Sequence, residues 1–300
     1  MNTETYLFNY TEAFKRNLGL INPEEQERLR RAHIAVAGLG GIGGIDLVTL
    51  ARLGIGHFSI ADPDTFEIHN FNRQYGAFNS TLGESKAEVM ARQVQDINPE
   101  VTIRTFKEPI TKDNVDEFLQ GVHILVDGID AFEINTKRLL FKKAKEKGIW
   151  ALGAGPVGFS TAWTIFDPEG MSYDEYFHFH DGMDSKDLFI RYLIGMAPKA
   201  THRSYIDLNF VDFAKRIGPS VSSACQLAAG VIGTEVIKII LRRGRIKAAP
   251  HFHQLDAYQN KYVTGKLWFG NRGLIQRLKI FLAKQLILKT GEKTLPFVKG

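Results

Sequence analysis

Three glycines, Gly38, Gly40 and Gly43, form the pattern G-x-G-x-x-G between an apolar run, His33–Ala37, and a helical pattern, Ile45–Leu53. Glycines in this context permit a tight turn. They also allow a phosphate group to approach backbone N–H groups at the positive end of the following helix. The spacing therefore predicts a nucleotide-binding loop that joins a strand to a helix.

A carboxylate ends the next predicted strand. Asp62 follows Phe58–Ala61, roughly 20 residues beyond the glycines, where an acid can accept a hydrogen bond from a ribose hydroxyl. The loop and the acid together are typical of a Rossmann domain. By themselves they leave both NAD(P) and ATP open as the ligand.

Two cations beyond this strand favour ATP. Arg73 lies in the segment after Asp62, and Lys86 lies on a predicted amphipathic helix at 84–97. A nucleotidyl transfer needs cations beside the phosphate loop, because negative charge redistributes over the phosphates in the transition state. Hydride transfer has no such need. The alternative is that both residues are solvated surface charges without a role in catalysis.

A second acidic position follows the fourth predicted strand, Val122–Val126. Asp130 ends the sequence Asp-Gly-Ile-Asp and would lie in the same crevice as Gly40. A carboxylate there can hold Mg²⁺, the cation that bridges ATP phosphates. It can also cap a predicted helix, Phe132–Lys147, and the two roles are compatible.

The elements that must position these residues alternate between strand and helix in the first half of the chain. This order predicts an α/β fold with a doubly wound, mainly parallel, Rossmann-like sheet flanked by helices, and with ligands at the carboxyl ends of the strands. Later strands, Thr161–Phe166, Phe252–Leu255 and Tyr258–Val263, predict an antiparallel extension. Between them, Gly170–Gly218 shows weak periodicity and is predicted as a long crossover loop. Pro219–Leu241 is predicted as a core helix rich in small residues.

The composition is that of a globular chain. Of 300 residues, 44% are hydrophobic and 24% charged, which excludes disordered, collagen-like and coiled-coil classes. The single cysteine, Cys225, excludes an internal disulfide framework and fits a reducing compartment. Met1–Asn17 has no apolar targeting segment. We therefore expect a cytoplasmic protein.

The positive charge is concentrated at the C-terminus. Residues 261–300 contain nine Lys or Arg and one Glu, a charge of +8, whereas the whole chain carries +5. One helical stripe there is apolar and has Arg277, Lys279 and Lys284 beside it: Leu274, Leu278, Phe281, Leu282 and Leu286. Such a basic amphipathic helix can bind an anionic membrane surface or tRNA. The favoured expectation is that it docks on its own domain or on a dimer partner.

Several motifs occur together and resemble those of the ThiF/MoeB/HesA family, the bacterial relatives of ubiquitin-activating enzymes, over about residues 14–263. They are GLGGIGG at 38–44, D-x-D at 62–64, NFNRQ at 70–74, GESKAE at 83–88, INPE at 97–100, DGID at 127–130 and VIGTEVIK at 231–238. The resemblance implies a homodimer that uses Mg-ATP to adenylate a carboxylate, often at the C-terminus of a ubiquitin-like protein.

The resemblance also implies the site residues. The expected ATP-binding set is Gly38, Gly40, Gly41, Gly43, Asp62, Asn70, Arg73, Gln74, Lys86 and Asp130. In that set Asp62 contacts the ribose, Asn70, Arg73 and Lys86 contact the phosphates, and Asp130 binds Mg²⁺. Arg16 matches an arginine that reaches into the partner subunit's phosphate site. The expected catalytic residues are Arg73, Lys86, Asp130 and Arg16.

Two family features are missing. The paired zinc cysteines are absent, and the histidine pairs His178/His180 and His251/His253 are a weak substitute, so we expect no zinc. The cysteine that forms a thioester in some members is absent near Val211. Cys225 instead lies inside the small-residue helix and is predicted to be buried and unreactive. This favours a reaction without a cysteine relay.

The expected organisation is an N-terminal helical arm at 1–30 that contributes to a dimer, an ATP-binding domain at 31–263, and a basic tail at 264–300. The main hypothesis is adenylation of a protein or peptide carboxylate. One alternative is a tRNA-modifying relative that activates a carboxylate on a modified adenosine, because residues 86–100 resemble such proteins. Others are an NAD-binding redox protein and a non-catalytic scaffold.

Overall fold

Eight strands form one sheet in the computed structural model, which describes residues 7–207, 210–211 and 218–289, with the backbone alone for 286–289. The strand order is β3-β2-β1-β4-β5-β6-β7-β8. The strands are β1 His33–Ala37, β2 His57–Ala61, β3 Thr102–Phe106, β4 Ile124–Asp127, β5 Trp150–Val157, β6 Ser160–Phe166, β7 His251–Asp256 and β8 Lys261–Lys266. The first five pair in parallel and the last three antiparallel.

Helices cover both faces of the parallel half. The α-helices of the described residues are α1 Tyr10–Phe14, α2 Pro23–Arg31, α3 Gly43–Arg52, α4 Lys86–Ile97, α5 Val115–Phe118, α6 Ile134–Glu146, α7 Tyr173–Phe177, α8 Ser185–Met196, α9 Ser222–Leu241 and α10 Leu274–Lys289. Two hydrophobic clusters, one on each side of the sheet, form the core. The predicted doubly wound sheet with a late antiparallel extension is confirmed.

The chain reverses its direction of travel across the sheet beside β1. From β1 it moves through β2 to β3, and then it crosses back to place β4 on the other side of β1. In such sheets a crevice opens at the carboxyl ends of the strands at this switch point. The glycine loop follows β1, and Asp130 follows β4, so the topology places both at this crevice.

α9 is the one described helix that is long and apolar enough to span a membrane, but it packs as a core helix. It contacts α3, β5 and β6, and Ala224, Ala228 and Ile232 are fully buried. The uncharged stretch at 149–166 forms β5 and β6, which pair antiparallel. Both stretches are therefore parts of the globular core, and the prediction of a core helix at Pro219–Leu241 is confirmed.

The predicted crossover loop at 170–218 is wrong over much of its length. It contains α7, α8 and a 3₁₀ turn at Thr201–Ser204, and residues 208–209 and 212–217 lie outside the described part. α7 is held by a capping box between Ser172 and Glu175, and it buries Tyr176 and Phe177 completely. A helix of five residues is too short to show a 3.6-residue period, so the periodicity missed it.

The arm and the tail both pack on the central domain. Leu29 of α2 is fully buried, and Tyr10 of α1 donates a hydrogen bond to the Gly54 carbonyl at 2.5 Å. The tail forms α10, which packs against α8. The helical character of residues 10–31 and of 274–289 therefore agrees with the sequence, and the role of the arm in a dimer stays a prediction.

Candidate active site

A cavity of about 690 Å³ opens at the carboxyl ends of the parallel strands, a volume suited to a nucleotide. Its wall includes eight of the ten predicted ATP-binding positions. These eight are Gly38, Gly40, Gly41, Asp62, Arg73, Gln74, Lys86 and Asp130. Residues from five separate segments of the chain therefore meet around one space.

The glycines of the loop divide into two kinds. A Cβ on Gly43 would lie 1.8 Å from the Gly38 carbonyl oxygen, and a Cβ on Gly38 would lie 2.5 Å from the Gly128 carbonyl oxygen. These glycines let the loop cross the end of β4 closely. Gly40 and Gly41 border the cavity, as Gly38 does, but the atoms nearest to a Cβ on Gly40 or Gly41 belong to side chains. Gly43 is not part of the cavity wall and serves backbone packing, so its contact with the ligand stays a prediction.

Asp62 fixes the loop to the end of β2. It is only 5% exposed, and its Oδ2 accepts a hydrogen bond from the Leu39 amide at 2.6 Å. Its Oδ1 accepts another from the Asp64 amide at 2.9 Å. Burial raises the pKa of Asp62, and the Lys86 ammonium opposes this rise. The carboxylate is thus held rigidly at the cavity wall, where a ribose was expected.

The two predicted cations both reach the cavity. Lys86, the first residue of α4, is 6% exposed, and its Nζ donates to Asp64 Oδ2 at 3.0 Å. Arg73 is partly exposed, and its Nη1 donates to the His69 carbonyl and to Asn72 Oδ1, each at 3.0 Å. Neither is a freely solvated surface charge, and Lys86 is the more buried of the two. The alternative that both residues are solvated surface charges is therefore wrong.

Asn70 supports the site from behind. It is 3% exposed and is not part of the cavity wall, so its phosphate contact stays a prediction. Its Oδ1 accepts from the Glu67 amide at 3.0 Å, and its carbonyl accepts from the amides of Arg73 and Gln74. Asn70 therefore holds the turn that presents these two side chains.

Gln74 is buried at the cavity wall with an incomplete set of hydrogen bonds. It is 8% exposed, and its Oε1 has no hydrogen-bond partner among the residues that the structure describes. Its Nε2 lies 3.6 Å from the position of a Cβ on Gly40. Because the amide can turn by 180°, it can offer either a donor or an acceptor to a bound molecule.

Asp130 lies exposed at the mouth of the cavity. Its Oδ1 accepts from the Phe132 amide at 2.8 Å, which closes a turn before α6. α6 begins at Ile134 rather than Phe132, so Asp130 is not its N-cap. An exposed carboxylate beside a nucleotide cavity fits a shared Mg²⁺ ligand, since this ion is usually held by one or two carboxylates together with phosphates.

An ion pair beneath the cavity was not found from the sequence. Lys137 of α6 donates to Asp127 at 2.7 Å and to the Ile129 carbonyl at 2.8 Å, and the two ionic side chains are 2% and 4% exposed. Burial disfavours the ammonium, but Asp127 keeps the pKa of Lys137 above its ordinary value. The pair fixes the segment that carries Asp130. Its ten-residue spacing matches no motif, so only the fold reveals it.

A buried carboxyl and the single thiol lie under the glycine loop. Asp46 is 1% exposed, and neither of its oxygens has a hydrogen-bond partner in the described part of the chain. Burial, and then Asp127, raise the pKa of Asp46 well above its ordinary value. Cys225 is 1% exposed, and burial raises its pKa to about 11. The prediction of a buried thiol is confirmed, although its Sγ also borders the cavity at Gly41.

Arg16 is separated from the cavity of its own chain. It is exposed on a 3₁₀ turn, and its neighbour Asn17 donates to the Leu53 carbonyl beyond the C-terminal end of α3. The glycine loop is at the opposite end of this ten-residue helix, about 15 Å away. Arg16 could therefore contribute only to the cavity of another subunit.

The histidine pairs engage protein partners instead of facing one another. His253 is 2% exposed, and its two ring nitrogens lie 3.1 Å from Tyr262 Oη and 3.0 Å from the Lys247 carbonyl. His178 Nδ1 lies 3.1 Å from Arg191 Nη1. Among the described residues no group of three or more His, Cys, Asp or Glu is placed to hold a metal ion by itself.

The sheet, the glycine loop and the cavity define a Rossmann-like α/β protein with a nucleotide-binding site. The chain belongs to the ThiF family, whose model matches residues 14–268.

Curated relatives match about half of the chain. The tRNA threonylcarbamoyladenosine dehydratase of Haemophilus influenzae is 36% identical over 154 residues, which are 51% of this chain and 58% of that protein. The sulfur carrier protein adenylyltransferase of Thermus thermophilus is 35% identical over 112 residues, or 37% and 41% of the two chains. The matched part thus spans less than two thirds of these relatives.

Solved structures share the fold over more of the chain. Escherichia coli MccB with ATP has a TM-score of 0.64 at 20% identity and covers 90% of this chain and 73% of that one. E. coli TcdA, a tRNA N6-threonylcarbamoyladenosine dehydratase, was solved with AMP. Its TM-score is 0.58 at 20% identity, and the match covers 77% of this chain and 95% of that one. At this identity the likeness establishes the fold alone.

Proposed function

We propose that this protein is an ATP-dependent adenylyltransferase that activates a substrate carboxylate as an acyl-adenylate. One observation carries the proposal: the glycine loop, an acid suited to ribose, two cations and an exposed carboxylate border the same 690 Å³ cavity. A redox protein that binds NAD would need only the first two. The cations and Asp130 match the charge that develops during nucleotidyl transfer.

Each residue has a distinct part in the reaction. Gly40 and Gly41 leave room for phosphates beside the N-terminus of α3, and Asp62 would accept from the ribose. Lys86 and Arg73 would neutralise the phosphates, and Asp130 would hold Mg²⁺, which adds further positive charge there. The substrate carboxylate oxygen attacks the α-phosphorus, the bond to the bridging oxygen of the β-phosphate breaks, and pyrophosphate leaves.

Lys86 is already aimed before ATP binds. Its salt bridge to Asp64 holds the ammonium at the cavity wall, and Asp64 itself is 66% exposed. An incoming phosphate can therefore take over the ammonium while Asp64 returns to water. Such an exchange places charge without a large rearrangement, which is how a preorganised site lowers a barrier.

A homodimer with Arg16 acting in trans belongs to the same proposal. Arg16 cannot reach the cavity of its own chain, as described above. The segment that carries Arg73 also exposes large apolar side chains, an arrangement typical of a subunit interface: Ile68, Phe71, Tyr75, Phe78 and Leu82. A mixture of Arg16→Ala and Lys86→Ala subunits should recover part of the activity. Mixed dimers that stay inactive would remove the trans role.

The substrate class is proposed to be the carboxylate of a protein or peptide. E. coli MccB, which shares the fold, was also solved with MccA, and one relative is named a SAMP-activating enzyme. The match to tRNA threonylcarbamoyladenosine dehydratases favours a second candidate, a carboxylate on a modified adenosine of tRNA. Both would place the enzyme in the cytoplasm, without a cysteine relay and without zinc.

Two measurements test this proposal. Mg-ATP should raise the melting temperature more than NADH does, because a ligand of the native state stabilises it. A larger shift with NADH would overturn the assignment. Exchange of labelled pyrophosphate into ATP should then depend on the substrate. Exchange that requires a peptide with a free C-terminus supports the first candidate, and exchange that requires tRNA carrying threonylcarbamoyladenosine supports the second.

A further inference from the structure

α10 docks on the domain through its polar side and leaves an apolar stripe in solvent. Its Gln276 is 3% exposed and donates to the Ile194 carbonyl, and Lys279 donates to the Pro198 carbonyl at 2.6 Å. Lys284 pairs with Asp187 of α8 at 2.6 Å. The expectation that the helix docks on its own domain is therefore confirmed, but polar anchors and Ile280 form the docked side and the apolar stripe faces away from it.

The exposed stripe is large and continuous with the loop before it. Five of its side chains are 55–82% exposed: Leu274, Ile275, Leu278, Phe281 and Leu282. At about 100° per residue they cover an arc of about 120° on the helix. Trp268 and Phe269, which precede the helix by a few residues, are 66% and 73% exposed. Soluble proteins rarely leave such a surface without a partner.

The charge around this surface identifies the partner's chemistry. Residues 261–289 contain no acidic residue and seven cations: Lys261, Lys266, Arg272, Arg277, Lys279, Lys284 and Lys289. On the helical projection the exposed Arg277 flanks the apolar arc on one side. Lys279 flanks the other side, where it also donates to the Pro198 carbonyl. Lys266 lies 4.1 Å from the centroid of the Trp268 ring. Leu, Phe and Trp on one side with cations at its borders are the composition of a helix that lies in a membrane interface.

We propose that α10 and the Trp268–Phe269 loop dock on an anionic lipid surface, with the exposed stripe entering the headgroup–acyl boundary. A second copy of this chain is a poorer occupant, since a two-fold interface would place this acid-free, cationic segment against itself. RNA is also poorer, because the centre of the surface is aliphatic and a phosphate backbone needs cations there. The proposal does not depend on the adenylation chemistry.

Flotation of the full-length protein with lipid vesicles tests the proposal. Vesicles of phosphatidylcholine with about 50% phosphatidylglycerol should bind the protein at low salt. Pure phosphatidylcholine should bind it at least about tenfold more weakly, because it offers no anionic headgroups to attract the cations. Raising the salt should weaken binding to the anionic vesicles. Absence of binding to every vesicle would overturn the proposal.

A matched pair of variants locates the surface. Leu278→Glu should reduce vesicle binding by about tenfold or more, because one buried apolar side chain is lost and a like charge to the lipid is gained. Leu20→Glu changes a leucine on the N-terminal arm that is even more exposed, 80% against 57% for Leu278, and should bind like the wild type. Arg272→Glu/Arg277→Glu should bind weakly and lose most of the salt dependence.

Other outcomes would assign the surface elsewhere. If Leu278→Glu leaves vesicle binding unchanged, the proposal is wrong. If Leu278→Glu converts a dimer to monomers by light scattering, the surface joins two copies, and if it abolishes tRNA retention on a filter without affecting vesicles, the surface binds RNA. Either result overturns the lipid assignment. Pyrophosphate exchange should stay unchanged in Leu278→Glu, so failure of the proposed enzyme activity remains a separate result.

Discussion

The side of the parallel sheet where the strands begin, called here the amino edge, and the side where they end, the carboxyl edge, both carry polar residues. The residue types are similar, but their interactions differ. At the amino edge His33 Nε2 lies 2.9 Å from Ser59 Oγ, and Arg104 donates to the same oxygen at 2.8 Å and to the Gln120 carbonyl at 2.6 Å. These groups satisfy one another within the protein. At the carboxyl edge two buried side chains keep atoms without partners in the described part of the chain: Gln74, which borders the cavity, and Asp46, which lies beneath the glycine loop.

The difference shows what marks a functional edge. A polar cluster that completes its own hydrogen bonds stabilises the fold, whereas a buried cluster left incomplete beside a cavity is prepared for a ligand. Arginine occurs at both edges, so residue type alone does not distinguish them. Variants at the two edges test this contrast.

Arg73→Ala and Lys86→Ala should each lower the rate of pyrophosphate exchange by about 10³-fold or more, because each removes a positive charge that stabilises the transition state. Arg104→Ala at the amino edge is the matched control. It should leave exchange within about twofold and lower the free energy of unfolding by about 1–3 kcal/mol, since Ser59 and Gln120 lose a charged donor. Equal losses of exchange at Arg73 and Arg104 would contradict the contrast.

The two kinds of glycine should separate stability from binding. In Gly43→Ala the Cβ would lie 1.8 Å from a backbone oxygen, so we expect misfolding or a loss of several kcal/mol, on the order of 3 or more. In Gly40→Ala the nearest protein atom is 3.6 Å away, so the fold should persist. ATP should nevertheless stabilise it much less in thermal melts, because the methyl group enters the phosphate space. A normal ATP shift in Gly40→Ala would place the phosphates elsewhere.

Asp46 should make the protein less stable as the pH rises. Its folded pKa lies well above the ordinary 3.8, so the unfolded chain ionises first and is favoured from about pH 4 upward. Each pH unit within this window costs about 1.4 kcal/mol. Asp46→Asn should remove the loss, so urea unfolding should show its advantage over wild type growing as the pH rises above about 4. The exposed Asp113→Asn is the control, and equal slopes for the two variants would refute the interpretation.

His33 should act in the opposite direction at the amino edge. Burial, and then Arg104, lower its pKa from 6.5 to about 4. The unfolded chain therefore binds the proton first, and stability present above pH 6.5 is lost as the pH falls towards 4. His33→Gln should flatten this part of the stability profile, measured by urea unfolding between pH 7 and pH 4.5. The exposed His69→Gln should leave the profile as in wild type.

Cys225→Ser should change least. The thiol is buried, and its pKa of about 11 keeps it protonated, so it is a poor nucleophile. Pyrophosphate exchange and overall turnover should both stay within about twofold, with a stability loss of about 1 kcal/mol. Mass spectrometry of the wild type incubated with its substrate provides the independent check. An adduct on Cys225, or exchange that persists while turnover is lost, would show that the thiol is a relay.

The sequence predicted the sheet because buried parallel strands are continuous apolar runs that end in polar residues. It predicted most of the cavity wall for the same reason, since Asp62 and Asp130 follow strand ends. The sequence could not distinguish residues that border the cavity from residues that hold the backbone behind it. Asn70 and Gly43 belong to the same motifs as Arg73 and Gly40, and only the packing shows that they hold the backbone outside the cavity wall.

Other features depended on three-dimensional packing throughout. Lys137 meets Asp127 only because α6 returns along β4, and α7 is defined by its cap and its aromatic contacts instead of a period. For α10 the sequence contains both an apolar stripe and a polar side, and its pattern does not indicate which side docks. Gln276 and Lys284 decide this through partners on α8 and the residues after it.

The position of α9 in the chain has a consequence for biosynthesis. This helix is apolar enough for the membrane-insertion machinery, yet the elements it packs against, α2, α3, β5 and β6, all precede it in the sequence. The last of them ends at Phe166, and α9 begins at Ser222. At about 5–20 residues per second, translation leaves several seconds for the docking surface to form first. The order of synthesis thus gives the nascent helix a protein surface to bind before a membrane can compete for it.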